Sequence, residues 1–204
     1  MKILTLDLLR HGEPIGGKKY RGNKIDDSLS ESGWRQMKDS TSHISDWDRI
    51  ISSPLLRCSE FSRWLSRKRS IPMNIIDDLK EIGFGDWEGK TKKELMNERS
   101  NEYENFFLDP VKNRPKNAES IEEFSIRISG VLQEIINTYM GQHLLIVAHA
   151  GVIRAMIGNV IKSPPNSWYK VIIDNGSISR LTFDKKNFQV NFINWNPMLS
   201  EDIK

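Results

Sequence analysis

The chain has 204 residues, 38% hydrophobic and 28% charged, with a formal net charge of +3 and a pI near 8.9. That length and balance suit one globular domain, residues 1–204, with a sizeable core and an affinity for small anionic molecules. They argue against nucleic acid, which wants a Lys/Arg stripe interleaved with aromatics, against a membrane helix of about 20 apolar residues, and, with Cys58 alone, against an internal disulfide.

The opening "MKILTLDLLRHGE" reads as a first strand over 3–9. Asp7 breaks its apolar run and no small-residue cleavage site follows, so it does not read as a signal peptide and a cytoplasmic protein is expected. A glycine-punctuated polar loop follows, too long for a simple connection. The pattern predicts a helix after Ser30 through Trp34, Met37 and Ile44. A short strand ends at Ile50 and Ile51, and a second helix follows, with Ser53 as its cap, Pro54 at its first position and Leu55, Cys58, Phe61 and Leu65 as its buried stripe.

"PMNIIDDL" is a further strand candidate. Residues 91–117 are mostly polar around Tyr103, Phe106 and Phe107 and read as a helical excursion, a candidate lid. A helix is expected from Ser120 through Ile135, an apolar strand at "HLLIVAH" (143–149), and a helix from Val152. "YKVIIDNGSISRLTFD" suggests two strands joined by an Asn175-Gly176 hairpin, and "FQVNFINWN" a last strand. Alternating strands and helices predict an α/β fold, a three-layer α/β/α sandwich on a mostly parallel sheet.

Three predicted strand ends carry polar groups: Arg10-His11-Gly12, Ser52-Ser53-Pro54 with Arg57 one turn on, and His149-Ala150-Gly151. Open α/β sheets bind ligands outside the carboxyl ends of their strands. Arg57 stands in the first turn of a helix, where the macrodipole disfavours a cation unless an anion binds there too. Arg10 beside His11 lowers the proton affinity of that imidazole, and a neutral imidazole is a nucleophile. No HxH or HxxxH spacing is present and His43 and His143 lie elsewhere, so no metal and no cofactor are expected. Asp7, in mid-strand, must be hydrogen-bonded if buried, and Trp87 reads as packing.

"LLRHGEP", followed in order by "SSPLLRC", "LKEIGFGDWEG", "NAESIEEF" and "LIVAHAGVIR", resembles the histidine phosphatase superfamily, the phosphoglycerate-mutase-like proteins. The resemblance implies a metal-independent phosphomonoesterase in which His11 becomes a phosphohistidine. Arg10, Arg57 and His149 would hold the phosphate oxygens, with backbone N–H groups after Gly12 and at Ala150, and Glu81 would serve as the proton donor. Ile82 after Glu81 is the phosphatase-like form, since mutases of the superfamily place an arginine there. The loops are similar to the α-ribazole phosphatase group, which removes the 5′-phosphate of α-ribazole or its cobalamin conjugate. A phosphoglycerate mutase, a broad-specificity sugar phosphatase and an inactive binder of phosphorylated ligands are the alternatives. Gly17 replaces an asparagine that touches phosphate in many members, with Ser53, Asn23 and the loop lysines as candidates to supply that contact. Ala118 replaces a usual glycine. Lys18, Lys19 and Arg21 either meet a second anionic group or form a solvated basic loop. The expected partner is a small phosphorylated metabolite, and the expected assembly a monomer or homodimer.

Overall fold

A computed structural model describes residues 2–197. Its centre is a six-stranded sheet of β1 (Leu4–Arg10), β2 (Arg49–Ser52), β3 (Met73–Ile75), β4 (His143–Ala148), β5 (Ile178–Phe183) and β6 (Phe188–Trp195), in the order β3-β2-β4-β1-β5-β6. β1 to β4 run parallel, while β5 pairs antiparallel with both β1 and β6. Leu9 sits opposite Val147 and Arg10 opposite Ala148, so the ends of β1 and β4 stand side by side.

After His143, β4 is apolar throughout, and β1 is interrupted only by Thr5 and Asp7 before Arg10, because both faces are covered. Leu4, Leu6, Leu8, Ile146 and Ala148 pack beneath α5 (Ile121–Tyr139) and α6 (Ala150–Val160). Leu9, Leu145 and Val147 pack on the opposite face beneath Met37 of α1 (Glu31–Ser42) and Cys58, Phe61 and Leu65 of α2 (Leu56–Arg69). This is the three-layer sandwich that alternation predicts. Among the described residues, no helix is long and apolar enough to cross a membrane.

Local sequence explains most element starts. Ser30 caps α1 by accepting from Gly33 N at 3.0 Å, and Ser120 and Glu123 form a reciprocal capping box on α5. The 91–117 excursion folds as α3 (Lys92–Glu98) and α4 (Ser100–Leu108), seated by fully buried Leu95 and Phe106.

Five local expectations are corrected. α1 stops at Ser42, and Ile44 continues its apolar period only by folding back onto the same core. α2 begins at Leu56 without a cap from Ser53; the carboxylate of Asp26, thirty residues earlier, accepts from Leu56 N at 2.6 Å instead. The 72–79 strand shortens to Met73–Ile75 and turns into a 3-10 helix at Asp77–Leu79. α6 starts at Ala150, two residues before the expected Val152. Asn175-Gly176 makes no hairpin: a 3-10 helix at Pro165–Lys170 precedes it, and the hairpin partner of β5 is β6. The turn instead lies against the end of β1, where Gly176 N donates to Arg10 O at 3.1 Å.

Candidate active site

β1 ends in Arg10, and Arg10 and His11 are fixed from three sides. His11 N donates to Ala148 O at 3.0 Å, Asn175 Nδ2 donates to His11 O at 3.0 Å, and Arg10 Nη1 donates to Ile173 O at 2.6 Å. A side chain at Gly12 would collide with the backbone of Gly33, and one at Gly33 with that of Glu13, which explains a glycine directly after the histidine.

His11 Nδ1 lies 2.8 Å from Gly12 O. A carbonyl only accepts, so Nδ1 carries the hydrogen and Nε2 keeps its lone pair. Burial first, then the charges of Arg57 and Arg10, hold this imidazole well below its ordinary pKa. The ring is therefore neutral at ordinary pH, with its free nitrogen defined. Arg10 is pushed down to about 10 mainly by burial, with Glu81 acting in the opposite sense. Its Nε is buried without a hydrogen-bond partner among the described residues.

Arg57, only 1% exposed, reaches from the first turn of α2 across the sheet ends. It donates from Nη1 to Ile25 O at 2.8 Å and from Nη2 to Gly22 O at 2.9 Å, which pins the long loop after β1 over the site. Its Nε donates to His149 Nδ1 at 3.3 Å. The other nitrogen of His149, Nε2, is 2.8 Å from Ser53 Oγ and carries the hydrogen. The His149 and His11 rings meet edge to face, with centroids 5.1 Å apart. Burial, Arg57, His11 and Arg10, in that order, hold His149 well below the ordinary imidazole pKa.

Glu81 approaches from the loop before α3. Its Oε1 accepts from Ile82 N at 2.9 Å and its Oε2 from Gly151 N at 3.2 Å, at the N-terminus of α6. A Cβ at Gly151 would strike this carboxylate, so the glycine admits it. The segment is clamped from outside: Arg127 pairs with Glu119 at 2.8 Å and donates to Lys80 O at 3.0 Å, while Glu119 accepts from Gly83 N at 3.0 Å.

These groups open onto a cavity of about 450 Å³ lined by Arg10, His11, Arg57, Glu81 and Ala150 at one end. Tyr20, Phe84, Tyr103, Phe107 and Tyr169 form its aromatic wall. The 91–117 excursion contributes Lys92, Tyr103 and Phe107 to the lining and is tied down at its middle and near its C-terminal end. Tyr20 Oη donates to Tyr103 Oη at 3.3 Å, and Arg114 donates to Gly83 O at 2.6 Å and to Tyr169 Oη at 3.3 Å.

The structure thus brings together Arg10, His11, Gly12, Arg57, Glu81, His149 and Ala150. Gly12, Ser53 and His149 form the layer behind the cavity wall, and Ser53 is committed to His149. Lys19 and Arg21 line the cavity, yet both bind Asp27, at 2.8 and 2.9 Å. Arg21 also donates to Ile15 O and Gly17 O, so it shapes the loop. Gly17 lines the cavity with no side chain to offer, and neither Ser53 nor Asn23 lines it in its place. Trp87 is wholly buried, stacked on Tyr103 and bonded to Glu102, as packing requires. Sequence reasoning missed Arg154, Tyr169, Asp174 and Asn175. Only Asn175 carried a signal, the Asn-Gly dipeptide, and it pointed to a hairpin. Among the described residues, no three His, Cys, Asp or Glu side chains are gathered to hold a metal ion.

Fold and site define an α/β protein with an arginine-lined crevice built around a neutral, oriented histidine. The chain belongs to the histidine phosphatase superfamily (branch 1), whose family model matches residues 6–196. It is 29% identical over 201 residues to the "uncharacterized phosphatase PhoE" of Bacillus subtilis, covering 97% of both chains. It is 28% identical to the adenosylcobalamin/alpha-ribazole phosphatase of Escherichia coli, covering 94% of this chain and 96% of the relative. Among solved structures, the alpha-ribazole phosphatase of Shigella flexneri superposes with a TM-score of 0.81 at 28% identity, over 94% of this chain and 96% of that one.

Proposed function

We propose that this protein is a phosphomonoesterase that works through a phosphohistidine at His11. The observation that carries this reading is the His11 imidazole itself: neutral, with Nδ1–H spent on Gly12 O and Nε2 open beside the buried Arg57 and the half-buried Arg10. In the first step the Nε2 lone pair forms a bond to phosphorus, the bond from phosphorus to the leaving oxygen breaks, and Glu81 gives that oxygen its proton. In the second step water attacks phosphorus and returns a proton to Glu81. The P–N bond breaks, releasing inorganic phosphate and neutral His11.

Arg10 and Arg57 balance the charge on the nonbridging oxygens, which is where such transition states need it. The unpartnered Nε of Arg10 supports that assignment. The N–H groups at Ala150 and Gly151 open α6, whose dipole favours an anion. His149 backs the His11 ring and holds Arg57; for it to touch phosphate, its Nε2–H must leave Ser53 Oγ. The route uses only this chain's own groups and calls for no metal.

Within this reading α-ribazole 5′-phosphate and its cobalamin conjugate are the first substrates to try, because named relatives act on them at 28% identity. Ile82, apolar and only 2% exposed, stands where a mutase of the superfamily would carry an arginine, which favours hydrolysis over transfer between hydroxyls. The test is release of inorganic phosphate from a panel of phosphomonoesters, α-ribazole 5′-phosphate included, with a chelator present. Turnover that survives the chelator is expected. Strict dependence on a divalent cation, or isomerisation of phosphoglycerate that outpaces hydrolysis, would refute the reading.

A further inference from the structure

The tautomer of His11 rests on one acceptor, Gly12 O, and that acceptor is itself held in place. Gly12 O and the N–H of Glu13 stand on opposite sides of one planar trans peptide unit, so whatever fixes the N–H also fixes where the carbonyl points. Glu13 N donates to Gln36 Oε1 at 2.9 Å. The peptide unit before it is held from the far side, where Asn175 Nδ2 donates to His11 O at 3.0 Å. Two side-chain amides, one from α1 and one from the turn before β5, thus hold the two successive peptide planes that follow His11.

Gln36 reaches this position because α1 is seated against the loop after β1. Gly33, Gln36 and Ser40 follow one another at i, i+3 and i+7 along one face of the helix. Gly33, bare of a side chain, lets the helix approach the backbone of Glu13. Ser30 Oγ donates to Glu13 O at 2.9 Å, so both backbone groups of Glu13 are engaged by α1 and its cap. Ser40 Oγ donates to Gly176 O at 2.5 Å, and Gly176, at φ 74°, packs so closely that an added Cβ would lie 2.8 Å from Gln36 Cβ. The turn that carries Asn175 therefore closes over the stem of Gln36. The Gln36 side chain itself does not line the cavity.

We propose that Gln36 is a positioning residue for the nucleophile: by holding the Gly12–Glu13 peptide it aims Gly12 O at His11 Nδ1, which keeps the hydrogen there and leaves Nε2 bare toward the cavity. When that plane is free to turn, the hydrogen moves to Nε2 in a fraction of the molecules, and those molecules lose the lone pair that attacks phosphorus. Gln36 touches none of the reacting groups, so its effect falls on kcat and not on binding. The inference rests on the phosphatase reading above for its kinetic consequence, while the tautomer is read without turnover.

Gln36→Met removes the acceptor and keeps the length of the side chain, whereas Gln36→Glu keeps an acceptor oxygen. Nitrogen NMR of protein with labelled imidazoles, the His11 signals assigned by their loss in His11→Ala protein, reads which ring nitrogen carries the hydrogen. The wild type and Gln36→Glu show it on Nδ1, and Gln36→Met shows a mixture of the two forms. On a hydrolysed phosphomonoester, Gln36→Met lowers kcat about ten- to a hundredfold with KM little changed, and Gln36→Glu recovers most of that loss. Unfolding temperatures report on folding, and Gln36→Ala, at home in any helix, takes the place of Gln36→Met should that protein not fold. A variant without the acceptor whose His11 keeps its hydrogen on Nδ1 overturns the proposal, whatever its Tm or activity. So does a Gln36→Glu protein as impaired as Gln36→Met. A wild type that releases no phosphate while the ring response is intact counts against the phosphatase reading and supports the role of Gln36.

Discussion

Asp7 is a carboxylate with no exposed surface in the middle of the central strand, and Asp7→Ala should destabilise the fold without touching the chemistry. Four hydrogen bonds converge on it: Arg180 Nε at 2.7 Å and Nη2 at 2.9 Å, Trp47 Nε1 at 2.8 Å and His143 Nε2 at 2.8 Å. Breaking a buried charge pair costs about 3–5 kcal/mol. The lower end applies, because Arg180 is 29% exposed and can recover water, while the Trp47 indole, 4% exposed, cannot. A loss of about 3 kcal/mol corresponds to a fall in Tm of about 6–12 °C for a chain of this size.

Burial pushes the Asp7 carboxyl up, but His143, Arg180 and Trp47 outweigh it and hold it below the usual range. Burial likewise lowers His143, and Asp7 more than reverses that, leaving it raised. The Asp7 contribution is therefore full above about pH 4 and lost as pH falls through the lowered folded value. The His143 contribution is full below about pH 6.5 and lost as pH rises through the raised one. Thermal melts of wild type and variant should differ most near pH 5.5 and converge in part toward pH 9, with Arg180 retaining a remainder. A gap below about 3 °C, or one that widens toward alkaline pH, would refute the reasoning.

His11 should stay neutral through the range where an ordinary imidazole titrates, and ring NMR should show this; Arg57→Met should move its titration upward and lower kcat/KM by about a hundredfold or more. Glu81→Gln should cost alkyl phosphates about 10²–10⁴ in kcat while p-nitrophenyl phosphate, whose leaving group needs no proton, loses far less; equal losses would remove Glu81 from proton transfer. Gly151→Ala should leave Tm unchanged or raise it, as expected for that exchange within a helix, yet lower kcat on alkyl esters because Glu81 must shift.

The site was legible in the sequence wherever a residue's chemistry and its place at a strand end coincided. Arg10, His11 and Arg57 needed only the strand pattern and a helix cation without a reason, and the helix starts at Ser30 and Ser120 followed from local pattern. What was not legible depends on chain brought in from far away. Asp26 replaces Ser53 as the group that satisfies α2, and Asp27 engages Lys19 and Arg21 at the cavity wall. Asn175-Gly176 has the composition of a hairpin, but tertiary contact with Arg10 O and His11 O turns it into a brace. Arg154 closes the "LIVAHAGVIR" block with no role assigned to it there, and its place becomes clear only from the carbonyl of Val171 and the ring of Tyr169.

The central claim is a covalent bond between phosphorus and His11. Protein mixed with a hydrolysable phosphomonoester and quenched under alkaline denaturing conditions should carry phosphate on the peptide containing His11, stable to base and lost in acid, and His11→Ala should abolish both label and turnover. Phosphate on another residue, or a His11→Ala protein that hydrolyses the ester at the wild-type rate, would contradict it.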